Sequence, residues 1–112
     1  MILKNVSKDI IITKDLKEVK TILDKFLGLI RKSNPRFLFF KTRFGIHTFF
    51  LKEPIDVIVL DKKFKVIKIK EGLTPYRLFF WSPKYNLVLE LPKSTIQKTK
   101  TEVGNLLKIN LY

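Results

Sequence analysis

The chain has 112 residues, no cysteine, 46% hydrophobic and 12% aromatic content, and a formal net charge of +13. This length suits a single domain over residues 1–112 with a core of its own, and the apolar content excludes a disordered chain. Without cysteine there is no disulfide framework, no thiolate catalysis and no Cys-ligated metal. No stretch approaches the roughly 18 apolar residues of a bilayer span, and Met1 to Asp9 lack the long apolar segment of a signal peptide. A soluble, cytoplasmic protein with no membrane partner is therefore expected.

The positive charge comes from 23 Lys and Arg against 10 Asp and Glu. Four are arginines, Arg31, Arg36, Arg43 and Arg77, and the lysines are spread along the whole chain. Bidentate phosphate recognition favours arginine, so any nucleic-acid binding is expected to be weak, non-specific and salt-labile. Alanine is absent, and the scarcity of Gln, Met and Cys suits a thermophile.

In chain order, the β-branched residues 9–13 predict a strand. Residues 15–27 predict a helix, because Leu16, Val19, Leu23 and Phe26 recur near 3.6-residue spacing. Thr13 or Asp15 can cap its start and Gly28 its end. Short runs rich in Val, Ile, Phe, Tyr or Trp then predict strands at 36–42, 46–51, 55–61, 64–70, 76–81 and 86–91, with turn signals between them. Residues 94–98 suit one helical turn and 107–111 a closing strand. Residues 86–91 alternate as in a half-exposed strand, and residues 64–70 change phase near Val66–Ile67, which predicts a bulge. Residues 55–60 are apolar on both faces apart from Asp56, as in a covered inner strand. The fold class expected is mainly β (α+β), an antiparallel sandwich or barrel with one helix packed on it.

The segment His47-Thr-Phe-Phe-Leu-Lys-Glu-Pro-Ile-Asp-Val-Ile-Val-Leu-Asp61 resembles the core pattern of the DUF192 family (UPF0127), in its shorter form His-Thr-Phe-x-Met-x-x-Pro-Ile-Asp-Val-x-Phe-Leu-Asp. Leu51 stands for the usual Met and Val59 for the usual Phe. Phe26-Leu-Gly-Leu-Ile-Arg31, Pro75-Tyr-Arg77, Leu87-Val-Leu-Glu-Leu-Pro92 and Glu102-Val-Gly104 are similar to further elements in the same order. The Trp, Met, Asn and Thr of the family's longer branch are missing. The resemblance implies a small jelly-roll-like β domain with a helix packed on it, and it carries no established activity.

His47, the sole imidazole, and Asp56 are the candidate site residues, with Arg77 and Glu90 beside them. His47 is expected on one strand face with Phe49 and Leu51. Asp56, on a face with Ile58 and Leu60, must be paired or hydrogen-bonded, because an uncompensated buried charge costs several kcal/mol. Lys52, Arg77 or His47 are its expected partners, or else it caps the turn after Pro54. At least one of Asp56 and His47 should be buried and bonded outside its own strand. The leading functional expectation is a non-catalytic ligand-binding or accessory domain for an unknown small ligand or protein, with an aromatic cleft near His47 and Asp56. The second is a basic nucleic-acid-associated protein using Arg43, Lys62, Lys63 and Lys65, with Phe44, Phe49, Phe50 and Trp81 as a stacking platform. The third is a hydrolase in which Asp56 and Glu90 converge. No metal-ligand spacing, phosphate loop or cofactor motif is present.

Overall fold

The computed structural model of the protein describes residues 1–19, 37–48 and 51–111. These contain ten strands: β1 (Ile2–Asn5), β2 (Ile10–Thr13), β3 (Lys17–Val19), β4 (Leu38–Lys41), β5 (Gly45–His47), β6 (Ile55–Leu60), β7 (Val66–Leu73), β8 (Leu78–Phe80), β9 (Leu87–Pro92) and β10 (Leu107–Asn110). One helical turn, α1 (Thr95–Thr99), lies between β9 and β10.

A five-stranded sheet of order β3-β4-β9-β6-β7 is the middle layer. On one face the two-stranded ribbon β5-β8 brings Ile46 and Phe79 onto Leu38, Val57, Val59 and Val88. On the other, the sheet β10-β1-β2 and α1 bring Leu3, Leu107 and Ile96 onto Phe39, Ile58, Leu89 and Leu91. The pairs are antiparallel except β3–β4, which is parallel. The architecture is thus a mainly β sandwich; the sheets stay open rather than closing into a barrel.

The covering layers explain two departures from the sequence reading. Strand β9 is not half-exposed: Leu87 to Pro92 include four buried residues in succession, because the ribbon covers the face carrying Val88. Residues 17–19 are not helical; they form β3 beside β4. Leu16 and Val19 are three apart, which puts them on one side of a helix but on opposite sides of an extended chain. Here Leu16 packs with one core cluster and Val19 with the other, so a sheet with two buried faces satisfies both. Residues 20–27 of the expected helix lie outside the described residues.

The bulge expected at Val66–Ile67 is present. Val59 faces Lys68 while Leu60 faces Val66, leaving Ile67 as the extra residue. A second irregularity follows, where Ile55 faces Leu73 but Val57 faces Lys70. The additional residue falls at Glu71–Gly72, and Gly72 takes φ 61°. A bulge removes a backbone group from the ladder, and that group reappears in the site below.

The layering predicts sharply different costs for two leucines. Leu89→Ala, inside the middle sheet, is expected to destabilise the protein by about 2–5 kcal/mol. Leu78→Ala, on the outer face of the ribbon, should change stability by about 0.5 kcal/mol or less. Urea unfolding of the two variants checks this; equal losses would contradict the layer assignment.

Candidate functional site

Asp56 is fully buried in β6. Its Oδ1 accepts the Gly72 N–H at 2.9 Å and its Oδ2 accepts the Ile96 N–H at 2.9 Å. Both donors need an outside partner. Gly72 sits at the second bulge of β7. Ile96 is in the first turn of α1, where N–H groups have no intrahelical acceptor. The residue that would ordinarily cap this turn, Ser94, has φ 70° and makes no side-chain cap bond. Asp56 supplies that acceptor from another strand. Charge-assisted bonds to two amides compensate the desolvation of the carboxylate. Asp56 is buried and bonded outside its own strand as expected, but it does not pair with Lys52, Arg77 or His47: it caps backbone amides, those of Gly72 and Ile96 rather than of the turn after Pro54.

A hollow of about 290 Å³ lies at this corner and is edged by Pro54, Glu71, Lys93 and Gln97. Asp56 also borders it but exposes no surface to water. A molecule in the hollow would meet Glu71 and Lys93 before the Asp56 carboxylate.

Glu90 is also buried, but the register separates it from Asp56. Asp56 lies opposite Leu91, and Val57 lies opposite Glu90. Side chains alternate along a strand, so Asp56 faces the layer of Ile58 and Leu60, and Glu90 faces the layer of Val57 and Val88. The two carboxylates point to opposite sides of one sheet and do not form an acid–base pair.

His47 and Arg77 are exposed and belong to the ribbon region. Gly45 pairs with Phe80, Ile46 with Phe79 and His47 with Leu78. Ile46 and Phe79 turn inward, leaving Gly45, His47, Leu78 and Phe80 on the outer face. Among the described residues this face borders a hollow of about 230 Å³ edged by Arg43, Phe44, Gly45, His47, Leu78 and Phe80. A Cβ at Gly45 would sit 2.5 Å from the Phe79 carbonyl oxygen and 2.7 Å from Cδ1 of Phe80, so glycine is what lets the Phe80 ring lie across the ribbon. His47 and Asp56 therefore border different hollows, which corrects the expectation of one cleft between them.

Both ends of the ribbon carry an exposed aromatic residue in the left-handed backbone region. Phe44 has φ 72° and is 62% exposed, and Tyr76 has φ 61° and is 74% exposed. Such a conformation is uncommon for a bulky residue. At Phe44, the Gly45 N–H bonds to the Arg43 carbonyl at 2.9 Å and the Trp81 N–H to the Phe44 carbonyl at 2.9 Å. The three-residue turn with positive φ at its centre is the rare, strained form. At Tyr76 the anchor is Thr48, which is buried. Its carbonyl accepts the Tyr76 N–H at 3.1 Å, its hydroxyl donates to the Thr74 carbonyl at 2.7 Å, and the same oxygen accepts the Arg77 N–H at 2.9 Å. Lys68 ties the ribbon to the middle sheet: its Nζ donates to the Phe80 carbonyl at 2.9 Å and lies 5.0 Å from the centre of the Phe79 ring.

Sequence reasoning found His47, Arg43, Phe44 and Arg77 but missed Thr48, Leu78 and Phe80. A Thr in a strand-like run is ordinary and carries no local sign of its three bonds. Trp81 is core rather than platform: it is buried, and its Nε1 donates to the Tyr85 carbonyl at 2.9 Å. Phe49 and Phe50 lie outside the described residues. Lys62, Lys63 and Lys65 are exposed on the β6–β7 turn, where Asp61 Oδ1 accepts the Lys63 and Lys65 N–H groups at 2.8 and 2.9 Å. Among the described residues no three His, Asp or Glu side chains group to hold a metal ion, and no helix is long and apolar enough to cross a membrane.

These features define a small β-sandwich domain with a tethered ribbon of exposed aromatics. The chain belongs to the DUF192 family (Uncharacterized ACR), whose model matches residues 12–109. It is 31% identical over 111 residues to the UPF0127 protein PH1112 of Pyrococcus horikoshii, covering 93% of this chain and 95% of that one. It is 29% identical over 112 residues to the UPF0127 protein PF1050 of Pyrococcus furiosus, covering 95% and 96%. Its fold is similar to the crystal structure of a protein of unknown function from Novosphingobium aromaticivorans, with a TM-score of 0.78, 14% identity and coverage of 96% and 82%.

Two substitutions test the anchors. Asp56→Asn places an amide N–H₂ against one of two N–H donors and leaves a buried amide without an acceptor, so a loss of about 1–3 kcal/mol is expected. Thr48→Val keeps the shape but removes the hydroxyl and its bonds to Thr74 and Arg77, for a similar loss. Denaturant unfolding at neutral pH measures both; a change below about 0.5 kcal/mol, the range of ordinary surface substitutions, would show that the anchor in question contributes little.

Proposed function

We propose that the protein is a non-catalytic binding domain whose ligand seats on the outer face of the β5–β8 ribbon. The observation that carries this reading is the pair of exposed aromatics, Phe44 and Tyr76, held in left-handed backbone at the two ends of one surface. Each such conformation costs on the order of 1–3 kcal/mol and persists where surrounding bonds over-determine it, most often at functional sites. Burial offers no reason for an aromatic at either position, since both side chains lie largely in water. Phe80 and Leu78 add exposed apolar surface between them, and Arg43 and His47 flank it. Binding rather than catalysis is favoured because the buried carboxylates face opposite layers and Asp56 is already committed to two amides.

The test is Phe44→Gly. Glycine adopts positive φ without strain, but its extra chain entropy offsets about 0.5–1 kcal/mol of the roughly 1–2 kcal/mol relieved, so the variant is expected to be as stable as the parent or about 1 kcal/mol more so. In two-dimensional NMR of the parent, small aromatic and heteroaromatic compounds should shift the amides of residues 43–48 and 78–80. In Phe44→Gly those shifts should shrink or vanish. Compounds that shift Gly72 and Ile96 instead would move the site to the Asp56 corner and contradict the reading.

A further inference from the structure

Resting on the proposed ribbon site, we infer that its ligand is an unpaired nucleic-acid strand, with bases on the aromatic side of the ribbon and phosphates on the cationic side. Leu78 is the shared wall of two hollows. The first, about 230 Å³, is edged by Phe44, Phe80, Arg43 and His47. The second, about 210 Å³, is edged by Lys70 and Arg77 with Gly72 and Thr74. A cavity of about 150 Å³ takes a benzene ring, and drug-sized ligands occupy roughly 300–1,000 Å³. The first hollow therefore suits one ring system rather than a large cofactor. An aromatic-walled ring site beside a cationic one is the arrangement of a base next to its phosphate.

A duplex fits poorly. Its bases are stacked on one another, and Phe44, Phe80 and Tyr76 offer ring surface only to bases that are unstacked. Stacking on exposed aromatics within a positive groove is how single strands are bound without sequence preference. The charge surplus of +13 extends the attraction beyond one nucleotide, since each phosphate neutralised releases counterions. The basic residues that matter on this reading are Arg43 and Arg77 at the ribbon and Lys70 of β7 beside it, rather than the Lys62–Lys65 turn.

The experiment measures binding of the whole chain to a fluorescent single-stranded oligothymidylate by anisotropy. Its competitors are the same oligomer as a duplex, heparin, and thymidine monophosphate. The single strand is expected to bind at least tenfold tighter than the duplex, and the monophosphate far more weakly than either. Affinity should fall as salt rises. Phe80→Ala, at an exposed position that leaves the core intact, should weaken single-strand binding roughly tenfold to a hundredfold, the range for loss of one stacked base. Lys62→Gln should leave it within about twofold, close to the loss of a single surface charge. Equal affinity for single strand, duplex and heparin, or no effect of Phe80→Ala, would reduce the binding to general electrostatics and overturn the inference. Monophosphate bound as tightly as the oligomer would also overturn it, in favour of a nucleotide. If no nucleic acid binds while aromatic compounds still shift the ribbon amides in NMR, the inference fails and the ribbon site stands. If neither binds there, both fail.

Discussion

The carboxylate of Asp56 is the interaction on which the architecture converges. It sits in an inner strand with no access to water, and its two oxygens take one N–H from the bulge of β7 and one from the first turn of α1. Each of these irregularities leaves an amide outside the regular ladder or helix, and the Ile96 amide, buried without an acceptor, would cost about 1–3 kcal/mol. Joined through one side chain, each supplies what the other elements lack. The bulge lets β7 turn at Gly72, and the capped turn sends the chain from β9 into β10. A buried carboxylate is costly unless its acceptor sites are filled, and here both oxygens are.

The His47–Asp61 segment thus does two jobs on the two sides of one sheet. Its second half, β6, is core and holds α1 in place. Its start, His47 and Thr48, joins β5 (Gly45–His47), which with β8 lies on the opposite layer and keeps its outer face in water. Thr48 is the counterpart of Asp56 there: three short bonds from one residue fix the Thr74–Arg77 turn and hold Tyr76 in its left-handed conformation. The core side of the molecule is thus covered, while the ribbon leaves its outer face exposed with a left-handed aromatic residue at each end.

What the chain disclosed in advance follows from how each feature is encoded. Strand β6 was legible because burial on both faces leaves an uninterrupted apolar run. The bulge at Ile67 was legible because a change of alternation phase has few other causes. Strand β3 was not, since Leu16 and Val19 satisfy a helical period as well as a two-sided strand, and β1 drew no signal from four residues at the start of the chain. The burial of β9 depended on a ribbon whose position no local pattern records. At the site, an Asp within Ile-Asp-Val-Ile-Val-Leu announced a buried carboxylate. Its particular partners stayed hidden because backbone N–H groups have no residue signature: a cap is conceivable locally, after Pro54, but the amides of Gly72 and Ile96 are 16 and 40 residues away in the chain. His47 was expected on one strand face with Phe49 and Leu51, but β5 ends at His47 and the imidazole lies on the exposed face.

Native-state hydrogen exchange of the Gly72 and Ile96 amides tests the keystone role of Asp56 most directly. A bulge amide and a first-turn amide of a five-residue helix ordinarily exchange through local opening, far faster than the core. If both are locked to a buried carboxylate, they should exchange as slowly as Ile58 and Leu89 and follow global unfolding as denaturant is added. Exchange of either amide orders of magnitude faster than those core amides, insensitive to denaturant, would contradict the account.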